Sequence, residues 1–228
     1  MIGGLQRVSL IDYPGKIGAV IFTQGCNFRC PYCHNPELVD PNRYGPIIPK
    51  DDVLSFLDKR KGKLEAVTVT GGEPTLQPDL ETFLEECRKR GYLIKLDTNG
   101  SKPDVLEKVI RKRLVDYLAM DIKGPLRRYR QITSAEVGTS EIRRSIELIT
   151  SSGITYEFRT TAVRSQLDLQ DLISVAKLVG QARLYVLQPF IPIKTLAGSM
   201  LSEIPYTPEE LSTIRENLEK ECPHVIVR

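Results

Sequence analysis

Six short apolar runs recur along the chain, and stretches with helical periodicity fill the gaps between them. The runs are IGAVIFT (17–23), AVTVT (66–70), YLIKLDT (92–98), VDYLAMDI (115–122), ITYEFRTTAV (154–163) and ARLYVLQPF (182–190). Near-continuous apolar strands are buried on both faces, which is the condition of strands in a parallel sheet covered by helices. The intervening stretches are VLSFLDKR (53–60), LETFLEECRKRG (80–91), VLEKVIRKR (105–113), IRRSIELITSSG (142–153) and LQDLISVAKLVG (169–180). In the second, Leu80, Phe83, Leu84 and Cys87 fall at i, i+3, i+4 and i+7 and form one apolar stripe. Pro78-Asp79 before it and Gly91 after it are start and stop signals.

Six βα units fit this pattern. A closed eight-unit barrel takes about 250 residues, more than this chain can supply once its long early loops and tail are set aside. The expected fold is therefore α/β, an open, partial (β/α)6 barrel with parallel strands. It forms a single domain over residues 1–228, with a core at about 17–190 and a tail at about 191–228. Within the tail, TPEELSTIRENLEKECPHVIVR reads as a capped helix followed by a short strand.

Charge and composition exclude several roles. No run approaches the roughly 20 apolar residues that span a bilayer, and MIGGLQRVSLIDYPGK lacks a secretory apolar core, so no membrane partner and a cytoplasmic location are expected. The net charge of +3, from 32 basic and 29 acidic residues, does not point to nucleic acid as the main partner. Basic clusters at Arg111-Lys112-Arg113 and at Lys123, Arg127, Arg128 and Arg130 read as solvated helix faces, or as a docking surface for an acidic partner. Five cysteines is an odd number, and three of them lie too close together to staple distant loops, so reduced thiols are expected.

In parallel βα folds, ligands bind at the loops that follow strand C-termini. The cysteine run GCNFRCPYCHN (25–35) follows the first predicted strand, TGGEPT follows the second, DTNG ends the third and MDIKG ends the fourth. Cys26, Cys30 and Cys33 are spaced C-x3-C-x2-C. A tetrahedral zinc site and a ferredoxin-type cluster each need four protein ligands. The remaining thiols are Cys87, on the apolar stripe, and Cys222. His34 adjoins Cys33, where joint chelation is sterically awkward, and it suits packing near the site better. Three thiolates on a four-iron cluster leave one iron open to a substrate or cofactor.

The triad with GGEP resembles the radical S-adenosylmethionine (SAM) superfamily over roughly residues 8–190. The run SLIDYPGKIGAVIFTQGCNFRCPYCHNPELV (9–39) is similar to the activating proteins of anaerobic ribonucleoside-triphosphate reductase, which are glycyl-radical-enzyme activases. The resemblance implies one [4Fe–4S] cluster on Cys26, Cys30 and Cys33, with S-adenosyl-L-methionine chelating the fourth iron. It also implies an oxidoreductase that forms a 5′-deoxyadenosyl radical and installs a glycyl radical on a reductase subunit. Flavodoxin or ferredoxin would supply the electron.

The same resemblance assigns cofactor contacts. Tyr32 is implied to lie near the adenine, and it also suits packing the cluster against water. Gly71 and Gly72 present backbone to the cofactor ammonium, while Glu73 orients that loop or contacts the ammonium indirectly. Asp97, Thr98 and Asp121 are implied to bind a monovalent cation that touches the cofactor carboxylate. Lys123 is implied to serve the carboxylate or the sulfonium surroundings. Arg159 aligns with a basic residue near the cofactor, although a surface arginine is the competing reading. Some activases place a histidine near the ribose at the end of the sixth strand; here VLQPFIPIK has none, and Gln188 is the substitute. Two other readings stay open: a radical enzyme acting on a nucleotide, RNA base or peptide, and a non-catalytic metal-binding module.

Overall fold

The structure, a computed structural model, describes residues 1–228. Eight strands lie in chain order in one sheet: β1 (Ile2–Ser9), β2 (Gly18–Thr23), β3 (Ala66–Gly71), β4 (Leu93–Thr98), β5 (Tyr117–Asp121), β6 (Thr155–Ala162), β7 (Tyr185–Pro189) and β8 (Val225–Val227). Every neighbouring pair from β2 to β8 is parallel, and only β1 runs antiparallel, against β2. β1 and β8 are the two free edges. The sheet is nevertheless strongly curved. Flat strands from β3 to β7 would lie about 19 Å apart at the usual spacing, yet Thr70 of β3 and Gln188 of β7 line one cavity of about 270 Å³. An open, partial barrel results.

The six expected βα units are β2 to β7, each followed by helix. α1 (Pro36–Val39) and α2 (Lys50–Lys59) follow β2, α3 (Leu80–Lys89) follows β3, and α4 (Pro103–Arg111) follows β4. α5 (Tyr129–Thr133) and α6 (Thr139–Ser151) follow β5, α7 (Leu169–Val179) follows β6, and α8 (Pro208–Leu218) follows β7. The stripe on α3 is buried as its spacing requires, Cys87 included. Each fully buried Leu, Val or Phe of such a stripe contributes about 1.5–3 kcal/mol. α8 opens with the capping box Thr207/Glu210, and β8 closes the chain as expected.

Two features lie outside the sequence expectation. β1 was not anticipated, because IGGLQRVS carries two glycines and alternates poorly; it forms by taking backbone partners from β2, Gln6 opposite Val20 among them. The second basic cluster is a solvated face only in part: Arg127 and Arg130 are exposed, whereas Lys123 and Arg128 are half-buried. Lys123 is turned into the barrel mouth, and Arg127 and Arg128 both clasp Asp171, a buried carboxylate on α7, Arg127 at 2.6 Å. No helix is long and apolar enough to cross a membrane.

Candidate active site

The loop after β2 carries the three close cysteines and is pinned by distant segments. Gly25 N–H donates to Leu38 O of α1 at 2.8 Å, Arg29 N–H donates to Thr133 O of α5 at 2.8 Å, and Pro31 O accepts from Ala197 N–H at 2.9 Å. The Arg29 guanidinium turns back to donate to the carbonyls of Cys26 and Phe28, at 2.6 and 2.8 Å. Phe28 packs edge-on against Tyr129, and the His34 ring stacks on Phe190 at 5.4 Å with its Nε2 3.0 Å from Ile191 O. His34 therefore packs the site wall, as its position beside Cys33 suggested.

All three thiols are free; Cys30 is buried, and Cys26 and Cys33 are half-buried. Burial pushes Cys26 up to about 12 and Cys30 up to about 11, and raises Cys33 as well. The thiols are protonated at neutral pH until a metal charge draws the protons off, so loading releases protons. Iron incorporation into the reconstituted protein is expected to become more efficient as pH rises from about 7 to about 9. Iron bound per chain, measured across that range, tests it; a flat profile contradicts it.

Every residue named above for the cluster, the cofactor or the cation lines one cavity of about 270 Å³ at the C-terminal ends of the strands. Cys87 and Cys222 do not line it. Tyr32 is buried there with a hydroxyl that has no hydrogen-bond partner, and Gln188 reaches it from β7.

The glycine pair allows the close approach that shapes the floor. Gly71 has φ +117°, and a Cβ on it would lie 2.4 Å from Thr23 N; a Cβ on Gly72 would lie 2.1 Å from Gly25 O. The β3 loop thus lies directly against the start of the cysteine loop, with Glu73 N–H donating to Gly25 O at 2.8 Å. Gly72→Ala must push these backbones apart, and overpacking of this kind costs about 1–3 kcal/mol. It is expected to lower Tm by roughly 5 °C and to weaken cofactor binding, as thermal denaturation and a binding titration would show.

Glu73 is a strut. Its fully buried carboxylate accepts from Thr75 N–H (3.0 Å), Thr75 Oγ1 (2.5 Å), Thr98 Oγ1 (2.8 Å) and Asn99 N–H (2.6 Å). It therefore locks the loop after β3 to the end of β4. Burial outweighs these donors and raises its pKa. Of the two roles expected for Glu73, loop orientation is the one the hydrogen bonds describe.

The strand ends hold a charge network. Arg159, in the middle of β6 rather than on the surface, donates through Nε to Asp121 Oδ1 at 2.8 Å and through a terminal nitrogen to Asp97 Oδ2 at 3.2 Å. Lys123 reaches Asp121 Oδ2 at 3.0 Å. Burial pushes both aspartates up, but the cations outweigh it: Arg159 and Lys95 hold Asp97 below the usual carboxylate range, and Arg159 and Lys123 hold Asp121 well below it. Two members escaped the sequence reading. Lys95 was counted only as part of a strand; a lysine two residues before Asp97 in an otherwise apolar run was the available signal, because period two puts both on one face. Asn99 donates to Asn27 Oδ1 at 3.0 Å and approaches Cys26 Sγ at 3.9 Å, tying DTNG to the cysteine loop.

Residues 20–178 match the Radical SAM superfamily. The chain belongs to the radical SAM superfamily. Among relatives of this radical SAM protein, a Methanocaldococcus jannaschii protein named, by inference, as a glycyl-radical enzyme activating enzyme is 32% identical over 100% of this chain and 95% of its own. The pyruvate formate-lyase-activating enzyme of Clostridium pasteurianum is 33% identical over 54% of this chain and 52% of its own. Streptococcus suis SuiB bound to S-adenosylmethionine superposes with a TM-score of 0.69 at 12% identity, over 92% of this chain and 51% of that one, which shows a shared fold.

The superfamily uses a [4Fe–4S] cluster and S-adenosylmethionine, and the residues present fit both. Three free thiols line one cavity floored by backbone that no Cβ obstructs, spaced too widely to share a single metal ion, and the unpartnered Tyr32 hydroxyl sits in its wall. Cys26, Cys30 and Cys33 would hold the cluster, leaving one iron for the cofactor.

Proposed function

We propose that this radical SAM enzyme is a glycyl-radical-enzyme activase and that its protein substrate is an anaerobic ribonucleoside-triphosphate reductase. The observation that carries the activase reading is the end-to-end likeness, at 32% identity, to a protein named as a glycyl-radical enzyme activating enzyme. The run Ser9–Val39, similar to reductase activating proteins, supports the choice of substrate.

When bound, the cluster and S-adenosylmethionine supply one-electron cleavage of a carbon–sulfur bond and so the means to remove a hydrogen atom. The remaining tasks fall to this chain. Cys26, Cys30 and Cys33 would hold the cluster, and the packed Phe28, Tyr129 and Phe190 rings beside them would keep water from it. Glu73 and Asn99 keep the loops after β2, β3 and β4 in register, so that the reacting atoms are held in one geometry. No side-chain acid or base is needed for hydrogen-atom abstraction. The substrate would be a glycine Cα–H on a polypeptide loop, which the sheet's unclosed side is suited to admit. The reducing electron would come from a flavodoxin- or ferredoxin-type donor.

The experiment is anaerobic reconstitution, reduction with S-adenosylmethionine present, and addition of an anaerobic ribonucleoside-triphosphate reductase. A glycyl doublet in electron paramagnetic resonance is the expected result. Cofactor cleavage without a doublet on that reductase, but with one on another glycyl-radical enzyme, would keep the activase and replace its substrate. Cleavage with no doublet on any would overturn both.

A further inference from the structure

The resemblance to activases places a monovalent cation on Asp97, Thr98 and Asp121. In this structure those groups are already engaged. Asp97 Oδ1 accepts from Lys95 Nζ at 2.5 Å and Asp97 Oδ2 from Arg159 at 3.2 Å; Asp121 Oδ1 accepts from Arg159 at 2.8 Å and Asp121 Oδ2 from Lys123 at 3.0 Å. Each of the four carboxylate oxygens thus faces one cationic nitrogen. Thr98 Oγ1 donates to Glu73 and accepts from Gly100 N–H at 3.1 Å. The expected donor set does not fit an added ion.

We propose that this chain carries its own counter-ion, with the Lys95 ammonium taking the place of an inorganic monovalent cation beside the cofactor site. Lys95 is the member of the network that makes this possible. It lies on β4, two residues before Asp97 on the same strand face, and its side chain is 3% exposed. Its only ion-pair partner is Asp97, and its ammonium lies 5.9 Å from the Tyr117 ring centre, where the ring face is electron-rich. A lysine buried so deeply needs a partner that cannot move away, and Asp97 is fixed from its other side by Arg159.

Charge counting leads to the same place. Lys95, Arg159 and Lys123 bring three positive charges to the two carboxylates, and Glu157, buried 3.9 Å from Arg159, is matched by Arg228 at 2.7 Å. An inorganic cation would therefore enter a cluster that already carries an excess of one, and would sit against a cationic nitrogen at whichever oxygen it approached. A potassium or sodium ion also prefers several oxygen ligands, and every aspartate oxygen here already faces a cationic nitrogen. Arg159 and Lys123 line the cavity and would supply positive charge to the cofactor carboxylate, while Lys95, behind Asp97, completes the charge balance without an exchangeable ion. Lys95 acts through Asp97 and is a positioning residue.

The test is the dissociation constant of S-adenosylmethionine for the cluster-loaded protein, in chloride salts of potassium, sodium, lithium or tetramethylammonium at about 0.1 M. The wild type is expected to vary by less than about two-fold across the series. Lys95→Met is expected to bind about ten-fold more weakly in tetramethylammonium than in potassium, because the emptied place then takes an ion. That rescue by potassium is an effect a purely structural lysine would not produce. A ten-fold loss for the wild type in tetramethylammonium, or a salt-insensitive Lys95→Met protein, overturns the proposal. Should Lys95→Met fail to fold, sodium-23 relaxation on the wild type decides: saturable binding of one ion per chain overturns the proposal, and its absence supports it. Neither measurement uses a protein substrate, so the proposal stands or falls apart from the choice of reductase.

Discussion

Cys30→Ala is expected to yield a folded protein that binds almost no iron and cleaves S-adenosylmethionine more than about 100-fold more slowly. Cys30 is the most buried of the three cavity thiols, and two thiolates cannot hold a cube that three hold with one corner open. No other sulfur can step in. Cys87 lies on the apolar stripe of α3, and Cys222 follows α8, where its backbone N–H bonds back to Leu218 O. Cys87→Ala is the matched control. It leaves a small cavity in the core, a loss of about 1–2 kcal/mol and roughly 2–6 °C in Tm, with iron content unchanged. Iron and sulfide analysis, the cluster absorbance and Tm together separate the two; loss of the cluster from Cys87→Ala would refute the ligand assignment.

Arg159→Leu is expected to cost about 3–5 kcal/mol of stability at pH 7, the range for removing one partner of a buried ion pair, and to lower Tm by roughly 10 °C. The guanidinium bridges Asp97 and Asp121, and without it a buried and a half-buried carboxylate at the same rim lose their shared counter-charge. The pH dependence gives the effect a signature. Both aspartates have folded-state pKa values below their ordinary ones, so the stability they supply is present above about pH 4 and is lost as pH falls through the folded values. In Arg159→Leu the depression is smaller and less stability is lost on acidification. The gap between wild type and variant is therefore expected to be widest near pH 7 and to narrow below about pH 4. Urea unfolding at several pH values measures it; a gap that is constant with pH would mean that Arg159 acts by packing alone.

The sequence alone determined a good deal. The alternation of apolar runs with amphipathic stretches specified six parallel βα units, because period and burial are local properties of a strand or helix. The same ordering placed the cysteine run, GGEP, DTNG and MDIKG at one rim, since in such folds the loops after the strands share a side. Cys26, Cys30 and Cys33 were legible as thiols of one rim, and they line one cavity, while Cys87 was recognised as core from its place on a stripe.

What only the tertiary structure decided concerns partners distant in sequence. β1 carries too weak a pattern to announce itself and exists because β2 offers it a backbone edge. Arg159, equally readable as a surface arginine, is a bridge because β4, β5 and β6 lie side by side and their inward faces meet. Lys95 looked like a polar interruption in a strand and is a buried counter-ion for the same reason. Secondary structure follows from neighbours in the chain. Which charge faces which depends on strand register and sheet curvature, and those are fixed only when the whole sheet packs.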